Sequence, residues 1–412
     1  MSSVATVARA AEVAPAGTGG GAVASGATLS RTRPCEIGFA LEYSLGHVTH
    51  SENLKKRLTG DDSVRPTYVE LPFEGMSGAW AKLPAVRSNW SLRASLGAHL
   101  GLRGSARRLQ AVFFHTQVTS LLSVGLMRRV PSVISLDATP LQYDALGAAY
   151  GHVPSGSARV EEYKKRLNER AFRAARHLVT WSQWAKDSLV ADYGVPAGKI
   201  TVIPPGIPLD QWDFAAERAA AARGAGTRTS GDAALNLLFV GGDFHRKGGD
   251  TLARALNALP AGTNVRLHAV TKTEALGPEA DAAVAAGRMM VHRGVTPNSG
   301  ALRALFAGAD AFVFPTRADC LPLAILEALA SGLPVVTTSV AALPEAVRHG
   351  ENGVIVPPDD PLALAAAITE LAQDRALRDR LALRSRETAR ERFDAQTNYR
   401  RIVEILKGVA AE

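Results

Sequence analysis

The chain has 412 residues, of which 46% are hydrophobic and 21% charged, and that length predicts about two domains because it exceeds what one hydrophobic core usually serves. No apolar run reaches the ~18 residues of a membrane-spanning helix, which argues against an integral membrane protein. The net charge of +8 lies in the first half: residues 1–205 hold 24 Lys and Arg against 15 Asp and Glu, and residues 206–412 hold 23 against 24.

The first residues of the chain and its two cysteines indicate the cellular compartment of the protein. Residues 1–33 are rich in Ala, Gly, Ser and Thr and lack the compact hydrophobic block of a secretory signal, so they predict a disordered tail. Cys35 and Cys320 are the two cysteines and cannot form a disulfide framework, and no Cys or His cluster has the spacing of a zinc site. We therefore expect a reducing, cytoplasmic location and no metal ion.

From residue 36 onward short apolar runs alternate with amphipathic segments, the pattern of parallel sheets flanked by helices. We expect a first domain at 34–205 and a linker rich in Gly and Pro at 206–234. The strands predicted in the first domain are 36–41, 67–71, 111–115, 132–136, 177–181 and 200–203. The helices predicted there are 51–59, 117–129, 160–176 and 182–193.

A second alternation predicts a second domain at 235–390. Its predicted strands are 235–240, 265–270, 288–292, 310–314, 333–338 and 353–356. The last helices, from about 361 to 409, are Arg-rich and amphipathic, and one within 391–412 can cross back to pack on the first domain. Two doubly wound domains facing each other bury a cleft at the carboxyl ends of their strands.

A basic segment lies at residues 75–136, which contain eight Lys and Arg and no Asp or Glu. Leucines and two tryptophans separate the charges, so the segment can contact an anionic membrane surface or receive an anionic acceptor. The alternative is a solvated helical face. Nucleic acid is a weaker option because no known nucleic-acid-binding module is present.

The most informative motif is DCLPLAILEALASGLPVV at residues 319–336, which follows the apolar run AFVFP. Asp319 and Glu327 stand eight positions apart, and Pro322 lies where a helix begins. A helix N-terminus offers N–H groups to a phosphate, and carboxylates accept hydrogen bonds from sugar hydroxyls. The motif therefore predicts a site for an anionic ligand that carries a hydroxyl-rich group.

The second half resembles the retaining glycosyltransferases of family 4, which adopt the GT-B fold of two Rossmann-like domains. The resemblance is carried by FVGGDFHRKGGDTL (239–252), HRGVTPNSGALRALFAGADAFVFPT (292–316) and the segment from Asp319 to Asp360. Weaker likenesses in the first half are SLGHVTHSENL, FFHTQ, VTWSQWAKDSLVADYGV and KITVIPPGI, in the expected order.

The resemblance assigns the donor site. Asp319 and Glu327 match the paired acids of the family, the second of which holds the ribose and the first the donor sugar; Asp319 stands where the family usually has Glu. Backbone N–H groups that follow Asp319 assist in sugar binding, and they belong to Cys320, Leu321, Leu323 and Ala324.

Lys247 matches the family lysine beside the diphosphate, and Gly241 matches the glycine that ends the preceding strand. Gly242 replaces an arginine that normally follows this glycine, and Arg246 can supply the missing cation. Two cations at this place would stabilise the leaving diphosphate. The alternative is a solvated basic turn.

On the first domain, His115 matches a family histidine that faces the donor sugar, and the alternative is a satisfied core histidine. Gly46 and His47 match the loop near the diphosphate and the acceptor. A further group follows another predicted strand and would lie on the acceptor side, or would form only a turn and helix cap: Asp137, Thr139, Tyr143 and Asp144. Glu345 recurs in the family near the nucleotide, but it can also be an acid in the first turn of a helix.

These assignments imply a retaining glycosyltransferase that moves a sugar from a nucleotide diphosphate sugar to a hydroxyl acceptor, a glycolipid, polysaccharide or small metabolite, without a cofactor. His115, Arg246, Lys247 and Asp319 would carry the reaction. The sequence contains no Asp-x-Asp metal motif. Two alternatives stay open, a nucleotide-sugar epimerase of the same architecture and a catalytically silent nucleotide-sugar-binding protein.

Overall fold

The computed structural model describes residues 33–44, 46–74, 76, 86–87, 89–151, 156–214 and 234–412. Within these ranges the chain forms two α/β domains, each built on a six-stranded sheet whose strands all run parallel. The predicted GT-B architecture of two Rossmann-like domains is confirmed. The predicted tail, apart from Arg33, lies outside the described residues.

The first sheet has the strand order β2-β1-β3-β4-β5-β6. Its strands are β1 (Cys35–Tyr43), β2 (Val64–Pro72), β3 (Ala111–His115), β4 (Ser132–Leu136), β5 (His177–Thr180) and β6 (Ile200–Val202). All five residues of β3 and of β4 are buried, as expected for central parallel strands that are covered by helices on both faces.

The second sheet has the order β12-β11-β10-β7-β8-β9. Its strands are β7 (Leu235–Val240), β8 (Val265–Val270), β9 (Met289–His292), β10 (Ala311–Phe314), β11 (Val335–Thr338) and β12 (Gly353–Val356). In both domains the observed strands coincide with the predicted ones, with ends that differ by at most three residues.

Helices connect these strands. In the first domain they are α1 (His47–Leu58), α2 (Trp90–Arg103), α3 (Val124–Met127), α4 (Pro140–Ala145), α5 (Ala158–Ala174) and α6 (Gln183–Ala191). Those that follow are α7 (Leu209–Trp212), α8 (Gly249–Asn257), α9 (Pro278–Ala285), α10 (Gly300–Gly308), α11 (Leu323–Ala330), α12 (Leu343–Ala346), α13 (Pro361–Gln373), α14 (Arg375–Arg392) and α15 (Ala395–Ala411). None of these helices combines the length and apolar composition needed to cross a bilayer.

The predicted helix at 117–129 is wrong. The structure has a 3-10 turn at Gln117–Thr119 and only the short α3 there, because the hydroxyls of Thr119 and Ser120 donate to the carbonyls of Thr116 and Gln117 and close a tight turn. The helix of this region is α2, which the prediction omitted and whose first turn is capped by the Asn89 side chain.

Each sheet reverses its winding direction at one place, and ligands bind to such sheets at this switch point. In the second sheet the switch lies between β7 and β10, whose following loops contain Lys247 and Asp319. In the first sheet it lies between β1 and β3, which lead to His47 and His115. The fold therefore brings predicted site residues to both switch points.

The chain crosses between the domains twice. The last helix, α15, packs on the first sheet, where Tyr399 and Leu406 are buried in one cluster with Phe39 and Phe113. The first crossing passes through the predicted linker, whose residues 206–214 are packed: Ile207 is buried, and the Trp212 ring lies 5.0 Å from Phe306. Residues 206–214 are packed, and not exposed as a linker would be, because this stretch carries apolar side chains. Residues 215–233 of the predicted linker lie outside the described ranges.

Residues 34–412 form one compact unit, and Glu345 links its two domains directly. Glu345 lies in the first turn of α12, and its two carboxylate oxygens accept from the N–H groups of Gln183 at 2.8 Å and Trp184 at 2.7 Å. These donors begin α6 of the first domain, where N–H groups lack partners within the helix and negative charge is favoured. Of the two interpretations of Glu345, the structure shows an acid in the first turn of a helix. Its carboxylate, however, binds the N–H groups of a helix in the other domain.

We expect Glu345→Ala to lower the free energy of unfolding by about 1–3 kcal/mol, because two charge-assisted hydrogen bonds across the domain interface are lost. Urea denaturation followed by circular dichroism measures this change. Glu351→Ala is the matched control: among the described residues its exposed carboxylate pairs with Arg348 alone, three residues away on the chain, and its loss should cost less than about 0.5 kcal/mol. Equal effects of the two substitutions would contradict the interdomain role.

Candidate active site

Two cations and one carboxylate meet where the loops after β7 and β10 come together. The Lys247 ammonium forms an ion pair with the Asp319 carboxylate, and Arg246 Nη1 lies 3.7 Å from the same oxygen. The side chains of Arg246, Lys247 and Asp319 are 9%, 14% and 13% exposed. Burial lowers the pKa of Lys247, while the charge of Asp319 opposes that shift. The alternative of a solvated basic turn is therefore wrong.

Glycines hold this cationic loop close to the sheet. A Cβ atom at Gly241 would lie 2.9 Å from Lys247 Cγ, and one at Gly248, which has a φ of +77°, would lie 1.9 Å from the Pro315 carbonyl oxygen. Side chains at these positions would displace Lys247 or the end of β10. Gly242 differs, because a Cβ atom there would approach only Lys272, at 3.9 Å.

The N-terminus of α11 follows Asp319 directly. Pro322 is the N-cap residue and Leu323 the first helical residue, one position later than predicted, and Asp319 does not cap the helix because it pairs with Lys247. Four successive N–H groups donate to no other described residue, and they belong to Cys320, Leu321, Leu323 and Ala324. These donors can bind an anion or a sugar oxygen.

Glu327 lies one turn into α11, about 6 Å along the helix axis from Leu323 and on the same face. Its side chain is buried, and its carboxylate accepts no hydrogen bond from any described residue. Burial raises the pKa of Glu327 from its ordinary value of 4.5 to about 8. A buried acid without a partner is costly to the fold and suits a group that is satisfied by a ligand.

On the first domain, His115 ends β3 and is fully buried, with Nε2 3.1 Å from His47 Nδ1. Burial, with smaller contributions from His50 and His47, holds the pKa of His115 well below its usual value, so this imidazole is neutral. His47 begins α1, directly after Gly46, and its Nε2 lies 3.8 Å from Asp137 Oδ2. His115, His47 and Asp137 thus form one chain of contacts.

Two interactions join the halves of the site. Burial raises the pKa of the Cys320 thiol well above its usual value, and the charge of Asp137 from the first domain raises it further. The Arg246 guanidinium lies 4.3 Å from the centre of the Tyr150 ring, within the range of cation–π contacts. The structure therefore brings His115 and Asp137 from one domain together with Arg246 and the neighbours of Lys247 from the other.

The residues predicted on the acceptor side have different positions in the structure. Asp137 is in the site, and burial raises its pKa. Tyr143 lies against Tyr150, with ring centres 5.1 Å apart, and the charge of Asp144 acts on Tyr143. For Thr139 the structure shows the helix-cap alternative: the residue is fully buried as the N-cap of α4, with Oγ1 2.7 Å from Ser188 Oγ, so its hydroxyl serves the fold.

Sequence reasoning missed several residues of the site. Glu42 is the penultimate residue of β1, is buried, and accepts from Trp90 Nε1 at 3.2 Å and Thr116 Oγ1 at 2.5 Å, so it links the end of β1 to α2 and to the loop after β3. The rule that strand carboxyl ends carry function could have found it. His50, three residues after His47, could have been found from helical spacing, but Tyr150 gives no such signal.

The basic segment is only partly described, because Lys82 and Trp80 lie outside the described residues. Arg107 and Arg108 precede β3, and Arg128 and Arg129 precede β4; all four are exposed. Since the strands are parallel, these arginines lie at the edge of the sheet opposite the site. Within the described ranges, no three His, Cys, Asp or Glu side chains are grouped as a metal ion would require.

Two family models match the chain, one on each domain. The model described as Glycosyltransferase Family 4 matches residues 48–211, and that described as Glycosyl transferases group 1 matches residues 234–374. Together the two matches include the ends of β3, β4, β7 and β10, near which His115, Asp137, Lys247 and Asp319 lie, whereas Gly46 and His47 lie outside them.

Curated relatives and solved structures are similar to the chain. A glycogen synthase of Mycobacterium tuberculosis is 33% identical over 231 residues, 55% of this chain and 52% of that protein. A D-inositol 3-phosphate glycosyltransferase of Xylanimonas cellulosilytica is 32% identical over 253 residues, 59% of this chain and 58% of that protein. The chain thus spans a little more than half the length of these relatives.

The crystal structure of Anabaena HepE in complex with UDP and glucose has a TM-score of 0.64 at 18% identity, covering 91% of this chain and 100% of that one. At this identity the likeness shows the fold alone. The two family matches lie one on each domain and include every strand given above except β1. The chain belongs to the family 4 glycosyltransferases of the GT-B fold.

Proposed function

We propose that the protein transfers a glycosyl group, specifically a hexosyl group, from a nucleotide diphosphate sugar to a hydroxyl acceptor, with retention of the anomeric configuration and without a metal ion. The observation that carries this proposal is that Arg246 and Lys247 lie at the same switch point as the N–H groups at the start of α11. Glu327, whose carboxylate has no partner among the described residues, lies one helical turn further along. Cations and amide donors suit a diphosphate, and a buried carboxylate suits ribose hydroxyls.

In the proposed reaction the acceptor oxygen bonds to the anomeric carbon on the face that the diphosphate leaves. The bond between the anomeric carbon and the diphosphate oxygen breaks, and the proton of the acceptor hydroxyl passes to the departing diphosphate. The residues of this chain then supply positioning and charge stabilisation. Arg246 and Lys247 offset the charge that develops on the leaving group, and the neutral His115 lies on the opposite wall.

Asp319 has two consecutive roles in this proposal. Without donor its carboxylate fixes Lys247, and with donor bound it accepts a hydrogen bond from a sugar hydroxyl while the diphosphate replaces it beside Lys247. A shorter acid than Glu suits the first role, because Asp319 already reaches both cations. HepE was crystallised with UDP and with UDP-glucose, which supports a nucleotide sugar as donor here.

The acceptor belongs to the first domain in this proposal, beside His47, Asp137 and the loop at Gly46. The names of two relatives refer to a polysaccharide and to a phosphorylated cyclitol, and acceptors of either kind are compatible with this proposal. The relatives are named as transferases, which does not favour the epimerase or the silent binding protein. A membrane held by Arg107, Arg108, Arg128 and Arg129 would face away from the site, so such contact would attach the protein without presenting a lipid acceptor.

Purified protein should be screened against UDP-, GDP- and ADP-sugars by thermal unfolding, with excess EDTA, and then assayed with hydroxyl acceptors by mass spectrometry. We expect one donor to raise the unfolding temperature and to yield a glycoside with retained configuration in EDTA, because ligand binding to the folded form stabilises it. Activity that requires a divalent ion would exclude the metal-independent reaction, and an epimer formed without acceptor would support the alternative.

Glu327→Gln should raise the free energy of unfolding at pH 7 by on the order of 2–3 kcal/mol and weaken nucleotide binding at least about tenfold. The folded chain holds the Glu327 proton up to about pH 8, whereas the unfolded chain loses it near pH 4.5, so the stability of the wild type falls between these values as pH rises. Urea denaturation from pH 5 to 8 and calorimetric titration with nucleoside diphosphate measure both effects.

In that experiment Glu370→Gln is the control, since Glu370 is exposed on α13. It should change neither the slope of stability against pH nor the affinity. A wild-type slope in the Glu327→Gln variant, together with unchanged affinity, would remove Glu327 from the donor site.

Lys247→Ala should lower the turnover number by on the order of 100-fold while changing the affinity for the free nucleoside less than about threefold, because the charge acts on the leaving diphosphate. Steady-state kinetics with the donor identified above measures the turnover number. Lys164→Ala, at an exposed lysine that pairs with Glu161, should behave as wild type. An unchanged turnover number in Lys247→Ala would contradict the proposed role.

A further inference from the structure

His115 is enclosed by aromatic rings that the donor and acceptor assignments leave unused. The ring centres of His50 and His115 are 4.5 Å apart, those of His50 and Trp181 4.9 Å, and those of His115 and Trp181 5.6 Å in a stacked arrangement. His50 lies on α1, Trp181 directly follows β5, and all three side chains are buried. The enclosure is therefore formed by three separate parts of the first domain.

Four buried polar atoms in this enclosure have no hydrogen-bond partner in the described part of the chain. They are His50 Nε2, His115 Nδ1, Ser135 Oγ and Trp181 Nε1. Buried polar atoms in proteins almost always have a partner, and an apolar environment makes an unpaired one costly. Four of them in one place indicate a common partner.

The sheet register explains why these atoms lie together. Ser135 is the strand partner of His115, so the two side chains are neighbours on one face. Trp181 continues from β5 on that face, and its backbone N–H donates to the Leu136 carbonyl at 3.1 Å. This is the face covered by α1 and α15, which contribute His50 and Tyr399.

The known contacts fix one ring of the enclosure. Tyr399 Oη lies 3.2 Å from the Gly206 carbonyl oxygen and 3.3 Å from His50 Nδ1. The hydroxyl has one proton and a carbonyl can only accept, so a bond to Gly206 requires His50 Nδ1 to donate its proton to the hydroxyl oxygen. Burial lowers the pKa of His50 to about 3, so the ring is neutral and Nε2 is an acceptor.

The four atoms then have complementary chemistry. Trp181 Nε1 can only donate, His50 Nε2 accepts, Ser135 Oγ can do either, and His115 Nδ1 takes the role opposite to that of its Nε2. One water molecule accepts and donates up to two hydrogen bonds each, and buried waters commonly make three.

We propose that the enclosure binds one internal water molecule between Trp181 Nε1, His50 Nε2, Ser135 Oγ and His115 Nδ1, and that this water fixes the tautomer and ring orientation of His115. His50, Trp181 and Tyr399 are thus positioning residues for the histidine that faces the cleft. Tyr399 belongs to α15, so the last helix of the chain supports the site of the first domain. The catalytic part of this inference rests on the proposed function, whereas the water site itself does not.

Long-range proton–nitrogen correlation spectra of protein labelled at histidine report the tautomer of each imidazole. We expect one tautomer of His115 in the wild type and exchange between two in Trp181→Phe, which removes the N–H and retains an aromatic ring. Trp184→Phe is the matched control, since Trp184 lies in α6 outside the enclosure, and it should leave the His115 signals unchanged. A fixed His115 tautomer in Trp181→Phe would overturn the proposal.

A second pair of variants tests the contributions of the two His50 ring nitrogens separately. His50→Asn retains a donor near the position of Nδ1 and removes Nε2, whereas Tyr399→Phe removes the partner of Nδ1. Both variants should allow His115 to exchange between two tautomers, the first because the water loses a contact and the second because the His50 ring loses its orientation. Where an aromatic variant fails to fold, Ser135→Ala, which deletes a single oxygen atom, gives the same test with the smallest change in volume.

Kinetics measure the consequence for the reaction. Trp181→Phe and Ser135→Ala should lower kcat on the order of tenfold with a smaller change in the donor KM, because a displaced catalytic group costs more in the transition state than in binding. Unchanged kcat in both variants would restrict the enclosure to a structural role. If no donor is turned over by the wild type, the proposed function fails, but the spectra still decide whether the water site exists. A high-resolution crystal structure without density at this place would also overturn the proposal.

Discussion

The parallel alignment of strands is the constraint on which the rest of this structure depends. Because every strand in a sheet points the same way, all the loops that follow the strands gather at one edge, and the hydrogen-bond ladder fixes their spacing. Neighbouring strands β7 and β10 bring Lys247 to Asp319, and neighbouring strands β1 and β3 bring Glu42 to Thr116. Residues far apart in the chain meet because their strands are adjacent.

Some ionisable groups of the site have a partner of opposite charge and one has none, and this difference distinguishes their roles. Lys247 and Asp319 neutralise each other in the protein without ligand, so burying them costs less than burying either alone. Glu327 has no partner within the described ranges, and it responds to burial by retaining its proton. A group whose environment is unfavourable without ligand and favourable with it couples binding to stability.

The two domains are joined by more than the chain that connects them. Residues 207 and 393–395 form backbone hydrogen bonds where the two crossings run side by side. The Tyr399 hydroxyl contacts His50 of the first domain and the Gly206 carbonyl at the start of the first crossing. Glu345 adds two charge-assisted bonds to the start of α6. Trp181 and Trp184, at this same start, pack against the core of the second domain. The region next to His115 is therefore also the region where the domains are coupled.

The sequence alone determined the twelve strands of the described chain, the position of His115 at a strand end and the loops that carry Lys247 and Asp319, because hydrophobic periodicity and glycine spacing are local properties. It also placed Glu327 in the helix that follows Asp319. Local patterns failed where side-chain hydroxyls compete with the backbone, as at Thr119 and Ser120, and where one residue has two consistent uses, as at Thr139. Only the tertiary structure decided that Glu345 binds the other domain, that Tyr150 covers Arg246, and that His50, Trp181 and Tyr399 surround His115. The physical reason is that these contacts join elements up to 349 residues apart, and their formation depends on packing geometry that no local pattern of residues encodes.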